Sequence, residues 1–158
     1  KNMNFEEIKD KINALYDACL ETKTPFHQKI DVCVVPDDLA TMVLETTNID
    51  IFNHLITIDN YGIIHTLQQH SNPITEAKRG QVAIERDDFV KWLEVVLQPD
   101  EVKHLGDTKR TNLPLLQFEK IIENKKIVVK EVRTIQSTKK QKVSRLVFHT
   151  MYKFKKPN

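Results

Sequence analysis

The sequence predicts an α+β fold, N-terminal helices packed on a C-terminal antiparallel β-sheet. Two observations carry that prediction. Apolar residues recur at helical spacing through most of the chain up to about residue 112, and from Leu113 onward the period shortens to that of strands. A third observation bounds it: 158 residues, 40% hydrophobic and 29% charged, suit one globular domain with a real core.

In chain order, Phe5, Ile8, Ile12, Leu15, Tyr16 and Cys19 are spaced by three and four, and Asn4 with Glu7 has capping-box spacing, so a helix is expected from Phe5 to about Glu21. Residues 1–25 form an N-terminal helix that is possible linker; residues 26–158 form the main domain. Ile30 to Val35 is β-rich, with Ile30, Val32 and Val34 on one face, and Pro36-Asp37-Asp38 opens a second helix to about Thr46. Leu55 to Ile58 is a short strand. Asp59 or Asn60 then caps a helix that runs to His70 and is stopped by Ser71, Asn72 and Pro73. A polar loop with the basic turn Lys78-Arg79-Gly80-Gln81 follows. A third long helix starts at Asp87 or Asp88, buries Phe89, Trp92, Leu93 and Val96, and ends at Pro99. Pro99 to Val102 reads as a short helical turn, and Gly106 to Asn112 as a connector. Pro114 to Ile122, Ile127 to Ile135 and Val143 to Phe154 read as three antiparallel strands. Alternation on the last puts Leu146, Phe148, Thr150, Tyr152 and Phe154 on one face and Arg145, His149 and Lys153 on the other.

Composition narrows the function classes. No apolar run approaches the roughly 18 residues of a membrane span, and Lys1 to Phe5 lacks the apolar region of a signal peptide. The missing initial methionine suggests a piece of a longer polypeptide. Cys19 and Cys33 sit in apolar surroundings without a CxxC, which suits reduced core thiols. The net charge of +2 conceals a division. Residues 1–107 hold 10 Lys and Arg against 19 Asp and Glu (10 − 19 = −9), and residues 108–158 hold 14 against 3 (14 − 3 = +11). Such asymmetry points to an anionic partner for the C-terminal part, nucleic acid being the commonest, although lysines also protect edge strands from aggregation.

The histidine helix is the candidate for chemistry. At about 100° per residue, Ile63 and Leu67 define its apolar stripe, His70 lies within about 60° of it, and His65 points to the far side. His65 and His70 lack the i, i+4 spacing of a metal pair, and neither cysteine nor carboxylate completes a set, so no metal or cofactor is expected. A histidine at a helix C-terminus tends to keep its proton, which suits His70 as a donor.

Together these residues resemble the phage-associated branch of the barnase, EndoU, colicin and RelE-like nuclease superfamily, the domains called PBECR. The resemblance covers roughly residues 30–155. It rests on Ile56-Thr57-Ile58-Asp59 before His65 and His70, Arg79-Gly80-Gln81 after them, Asp88-Phe89, Val95-Val96, Pro99-Asp100, and the closing Thr150-Met151-Tyr152-Lys153. Ser71 stands where a glycine often follows the second histidine. The resemblance implies a metal-independent endoribonuclease toxin, cutting RNA, with transfer RNA a possible target, by attack of the 2′-hydroxyl. It implies His65 as base and His70 as acid or substrate orienter, with the base and acid labels interchangeable, Thr150 and Tyr152 as donors to the phosphate, and Arg79 or Arg145 as its cationic clamp. Lys139, Lys140, His149 and Lys153 complete the expected RNA-binding set. The resemblance also implies an immunity or antitoxin partner and delivery, by secretion or by a phage or toxin polypeptide, into a target-cell cytoplasm. The reading from another class is a non-catalytic module that binds RNA or protein through the same basic segment.

Overall fold

The computed structural model describes residues 3–137 and 140–155. Lys139 lies outside the described residues. The elements run α1 (Phe5–Glu21), β1 (Lys29–Val34), α2 (Asp37–Thr47), β2 (Leu55–Asp59), α3 (Asn60–His70), α4 (Pro73–Lys78), α5 (Asp88–Leu97), β3 (Glu101–Asp107), β4 (Pro114–Ile122), β5 (Lys125–Ser137) and β6 (Lys142–Lys155). Six strands form one sheet in the order β1-β2-β6-β5-β4-β3. Every neighbouring pair is antiparallel except β2 and β6, which run parallel. The fold class is therefore α+β, and the parallel pair β2–β6 joins the N-terminal and C-terminal parts into one sheet.

Two segments differ from the expectation in secondary structure, and β1 differs in its faces, because a register shift between Asp31 and Cys33 leaves Val34 exposed while Ile30, Val32 and Val35 are buried. Pro73 to Lys78 is a helix rather than loop, because the Asn72 side chain accepts from the amides of Ile74 and Thr75 and Pro73 fits the first helical turn. The Asn72-Pro73 pair that stops one helix thus starts the next. Glu101 to Asp107 is a strand rather than a helical turn and connector. Only Val102 is buried along β3, so no local apolar pattern marks it, and pairing with β4 creates it.

The core lies between the sheet and α1, α2 and α5. Trp92 and Phe89 of α5 meet the Phe148 ring edge-on at 6.0 and 6.1 Å, and Tyr16 of α1 meets Phe89 at 5.5 Å. Ile8, Ile12 and Leu15 bury α1 in the same apolar cluster. Both thiols are free and half-buried, and burial pushes the Cys19 thiol up to about 11.

A bulge in β6 overturns the expected face assignment. Lys130 pairs with Thr150 but Glu131 pairs with Phe148, so His149 is one residue too many and the alternation inverts. Leu146, Phe148, Met151 and Lys153 are buried, whereas Arg145, Val147, Tyr152 and Phe154 are half-buried. Lys153 consequently does not share a face with Arg145. Its amine is buried 2.7 Å from Asp88, whose carboxylate also accepts from the Glu85 amide, in an ion pair that ties β6 to α5.

Candidate active site

The site begins at the join of β2 and α3. Asp59 ends the strand and caps the helix, its carboxylate accepting from the Gly62 amide at 2.9 Å. Glycine at 62 lets α3 lie directly on β6. A Cβ there would stand 2.6 Å from the Phe148 carbonyl oxygen and 2.7 Å from its ring. Thr66, fully buried one turn later, meets Thr150 oxygen to oxygen at 3.4 Å and fixes the two elements further along.

This contact leaves a cleft of about 440 Å³ beside the N-terminal half of α3, lined among others by His27, Thr57, Tyr61, His65, Arg145 and His149. His65 is exposed, as its angle from the apolar stripe requires, and its ring lies 5.4 Å from that of His149. The bulge is what turns His149 toward the helix. Burial, then the His65 and Lys130 charges, hold the His149 imidazole below its ordinary range, against a weaker opposing pull from Asp59. Arg145 is gripped by both carboxylate oxygens of Asp31 at 2.9 and 3.1 Å, and it also donates to Gln136 at 3.2 Å. Hydrogen bonds from Arg145 lead the forces that keep the Asp31 carboxyl below its usual value, with Thr57 adding a bond at 2.7 Å. A guanidinium has five N–H groups, so donors remain for an anion in the cleft.

His70 belongs to a second cluster further along β6. Its Nδ1 lies 3.1 Å from the fully buried carboxylate of Glu76, which also takes a bond from Arg79 at 3.1 Å. Arg79 donates as well to the Gln69 carbonyl, so this guanidinium braces the end of α3. The His70 ring packs 5.3 Å from that of Tyr152, over which Lys130 places its amine at 5.6 Å. Burial raises the Tyr152 phenol. Ser71 follows His70 in right-handed backbone, with φ of −104°, so no glycine is needed there. Lys140 is exposed in the β5–β6 connection.

The structure thus divides the anticipated residues. His65, His149 and Arg145 share the cleft. His70, Arg79 and Tyr152 form the neighbouring cluster, the Thr66–Thr150 contact stands between, and Lys153 is withdrawn into the interior. His27, Asp31, Thr57, Asp59 and Tyr61 also shape the cleft. Asp59 was visible in the sequence as a cap. His27, Asp31 and Tyr61 carry no periodic or spacing signal, since folding alone brings them together.

No group of three or more His, Cys, Asp and Glu among the described residues is placed to hold a metal ion. No helix among them is long and apolar enough to cross a membrane.

The model of PBECR3, the phage-Barnase-EndoU-ColicinE5/D-RelE like nuclease 3 family, matches residues 35–157. The chain belongs to this family. It is a nuclease of that type, and nucleic acid is its substrate class. No curated protein and no solved structure matches the chain. The PBECR3 match takes in α3, β6 and the bulge, and with them His65, His149 and Arg145. It begins after α1, His27 and Asp31, so part of the cleft wall comes from residues ahead of it.

Proposed function

We propose that the protein is a metal-independent endoribonuclease whose centre is the His65–His149 pair. One observation carries the reading: two imidazoles in ring contact line the same cleft as an arginine that has donors to spare. Cleavage by RNA's own 2′-hydroxyl needs a base for that proton, an acid for the leaving 5′-oxygen and a cation for the phosphate. His149, whose imidazole holds a proton less readily than an ordinary histidine, takes the 2′-hydroxyl proton as that oxygen bonds to phosphorus. His65 gives a proton to the 5′-oxygen as its bond to phosphorus breaks, and Arg145 holds the phosphate. The products are a 2′,3′-cyclic phosphate and a 5′-hydroxyl. In this reading the second proton role moves from His70 to His149. His70, oriented by Glu76, and Tyr152 guide the RNA strand beyond the cleft, and Thr150 positions α3 from its buried place beside Thr66.

The reading extends to a toxin delivered into a target-cell cytoplasm and restrained by an acidic immunity protein. The cationic segment would steer such a partner as well as RNA.

Purified protein is incubated with an RNA oligonucleotide and its DNA counterpart, with and without EDTA, and the ends are identified by mass. Cyclic-phosphate ends, resistance of DNA and indifference to EDTA are expected. H65A and H149A should each lower the rate by about 100-fold or more while RNA affinity stays within a few-fold. Cleavage of DNA at the same rate, or activity lost on chelation, defeats the mechanism. RNA bound but never cut would leave the binding module.

A further inference from the structure

We propose that His27 and Tyr61, at the mouth of the cleft, form a stacking subsite for one unpaired nucleobase next to the scissile phosphate. This rests on the ribonuclease reading and names a part of the substrate that the histidine pair does not touch.

The two rings already stack, with centroids 4.7 Å apart and planes 23° from parallel. Yet Tyr61 is 56% exposed and the His27 side chain 50%. An exposed pair of flat rings, one just ahead of β1 and the other in the first turn of α3, has no packing role to explain it, because each leaves half its surface to water. Both line the cleft that holds His65, His149 and Arg145. A base placed there would extend the stack while its phosphate lies among those three side chains.

The platform is built rather than incidental. The His27 Nε2 lies 3.5 Å from Asp59, the carboxylate that caps α3. Asn60, buried between them, binds the residues on either side of His27. Its side chain accepts from the Gln28 amide at 2.9 Å and donates to the Phe26 carbonyl at 2.7 Å, and its own amide donates to the Gln28 carbonyl at 3.1 Å. The backbone carrying His27 is therefore locked to the backbone carrying Tyr61, and a base meets a surface already ordered. Stacking needs only a π-face, so the subsite accepts an unpaired base of any kind and excludes one held in a duplex.

The test uses RNA made uncleavable by 2′-O-methylation and carrying the fluorescent base 2-aminopurine at one position in turn along the strand. The wild type is expected to quench the fluorescence at one position. Y61A should lose that quenching and bind about 5- to 150-fold more weakly, the range that one base–aromatic stack supplies. Y61F should keep both properties. H27A should weaken binding in the same direction. In cleavage of natural RNA, Y61A should raise KM and leave kcat within a few-fold. A wild type that cleaves RNA but quenches at no position overturns the subsite and spares the ribonuclease. Equal quenching by wild type and Y61A overturns it too. Quenching without cleavage by the wild type keeps the subsite and removes the ribonuclease reading.

Discussion

Glu131 shows how one residue can set the pH response of the fold. It sits fully buried on β5, one carboxylate oxygen accepting from the Trp92 indole at 3.0 Å and the other without a partner among the described residues. Burial raises its carboxyl well above the ordinary value, more than the indole bond lowers it. The sign of the linkage follows. A carboxyl that holds its proton more tightly when folded contributes stability that is full below the ordinary carboxylate range and is lost as pH rises toward the folded value. E131Q keeps an oxygen for Trp92 and cannot ionise. Urea unfolding at a series of pH values should show the wild type losing stability from about pH 5 upward and E131Q losing markedly less. Equal slopes would show that Glu131 does not carry the effect. Nothing in the sequence marked this residue, because a lone acid in a strand reads as a surface position until burial is known.

At the scale of elements, much of the chain was legible and one feature decided the rest. The 60–70 helix was readable to its ends because Asp59 caps it and Asn72-Pro73 closes it. The β4–β5 hairpin was readable from its two strand-like runs, and its turn proves to be the two residues Glu123 and Asn124, both at positive φ, so β5 starts at Lys125 rather than Ile127. The bulge at His149 was not, since strict alternation is what a strand shows until its partner's register is known. That single extra residue moves Lys153 to the interior and brings His149 over His65. Gly62 guards the same contact from the helix side. G62A introduces a Cβ at 2.6 Å from backbone that cannot swing away. The helix must lift from β6, at a cost of about 1–3 kcal/mol or more, and the His65–His149 contact must open. Denaturant titration should show the loss of stability, and nuclease rate should fall further than the unfolded fraction explains. Unchanged stability would place α3 further from β6 than this.

At the scale of the molecule, the division into an acidic and a basic part is partly consumed within the fold. Arg145 takes Asp31, Lys153 takes Asp88 and Lys120 takes Asp100, so basic residues from the last third pair with acidic ones from the first two. Charge counted along a sequence overstates what is offered to a partner, because the count cannot see these pairs. The same interlocking argues that the N-terminal helix belongs to the working unit, although the family match starts only at residue 35. α1 places Ile8, Ile12 and Leu15 in the common core, and Tyr16 lies against Phe89 of α5, whose ring meets Phe148 directly before the bulge. Burying three such aliphatic side chains contributes about 5–9 kcal/mol as an upper bound, comparable to the whole stability of an ordinary domain. A chain beginning at Phe26 keeps His27 and every residue of the cleft, yet loses that layer. It should unfold at a much lower urea concentration than the full chain, or fail to give a cooperative transition. Adding a peptide of residues 1–25 should restore part of the loss. A truncated chain as stable as the full one would make α1 an appendage, and the nuclease would then stand on the sheet and the helices from α2 to α5.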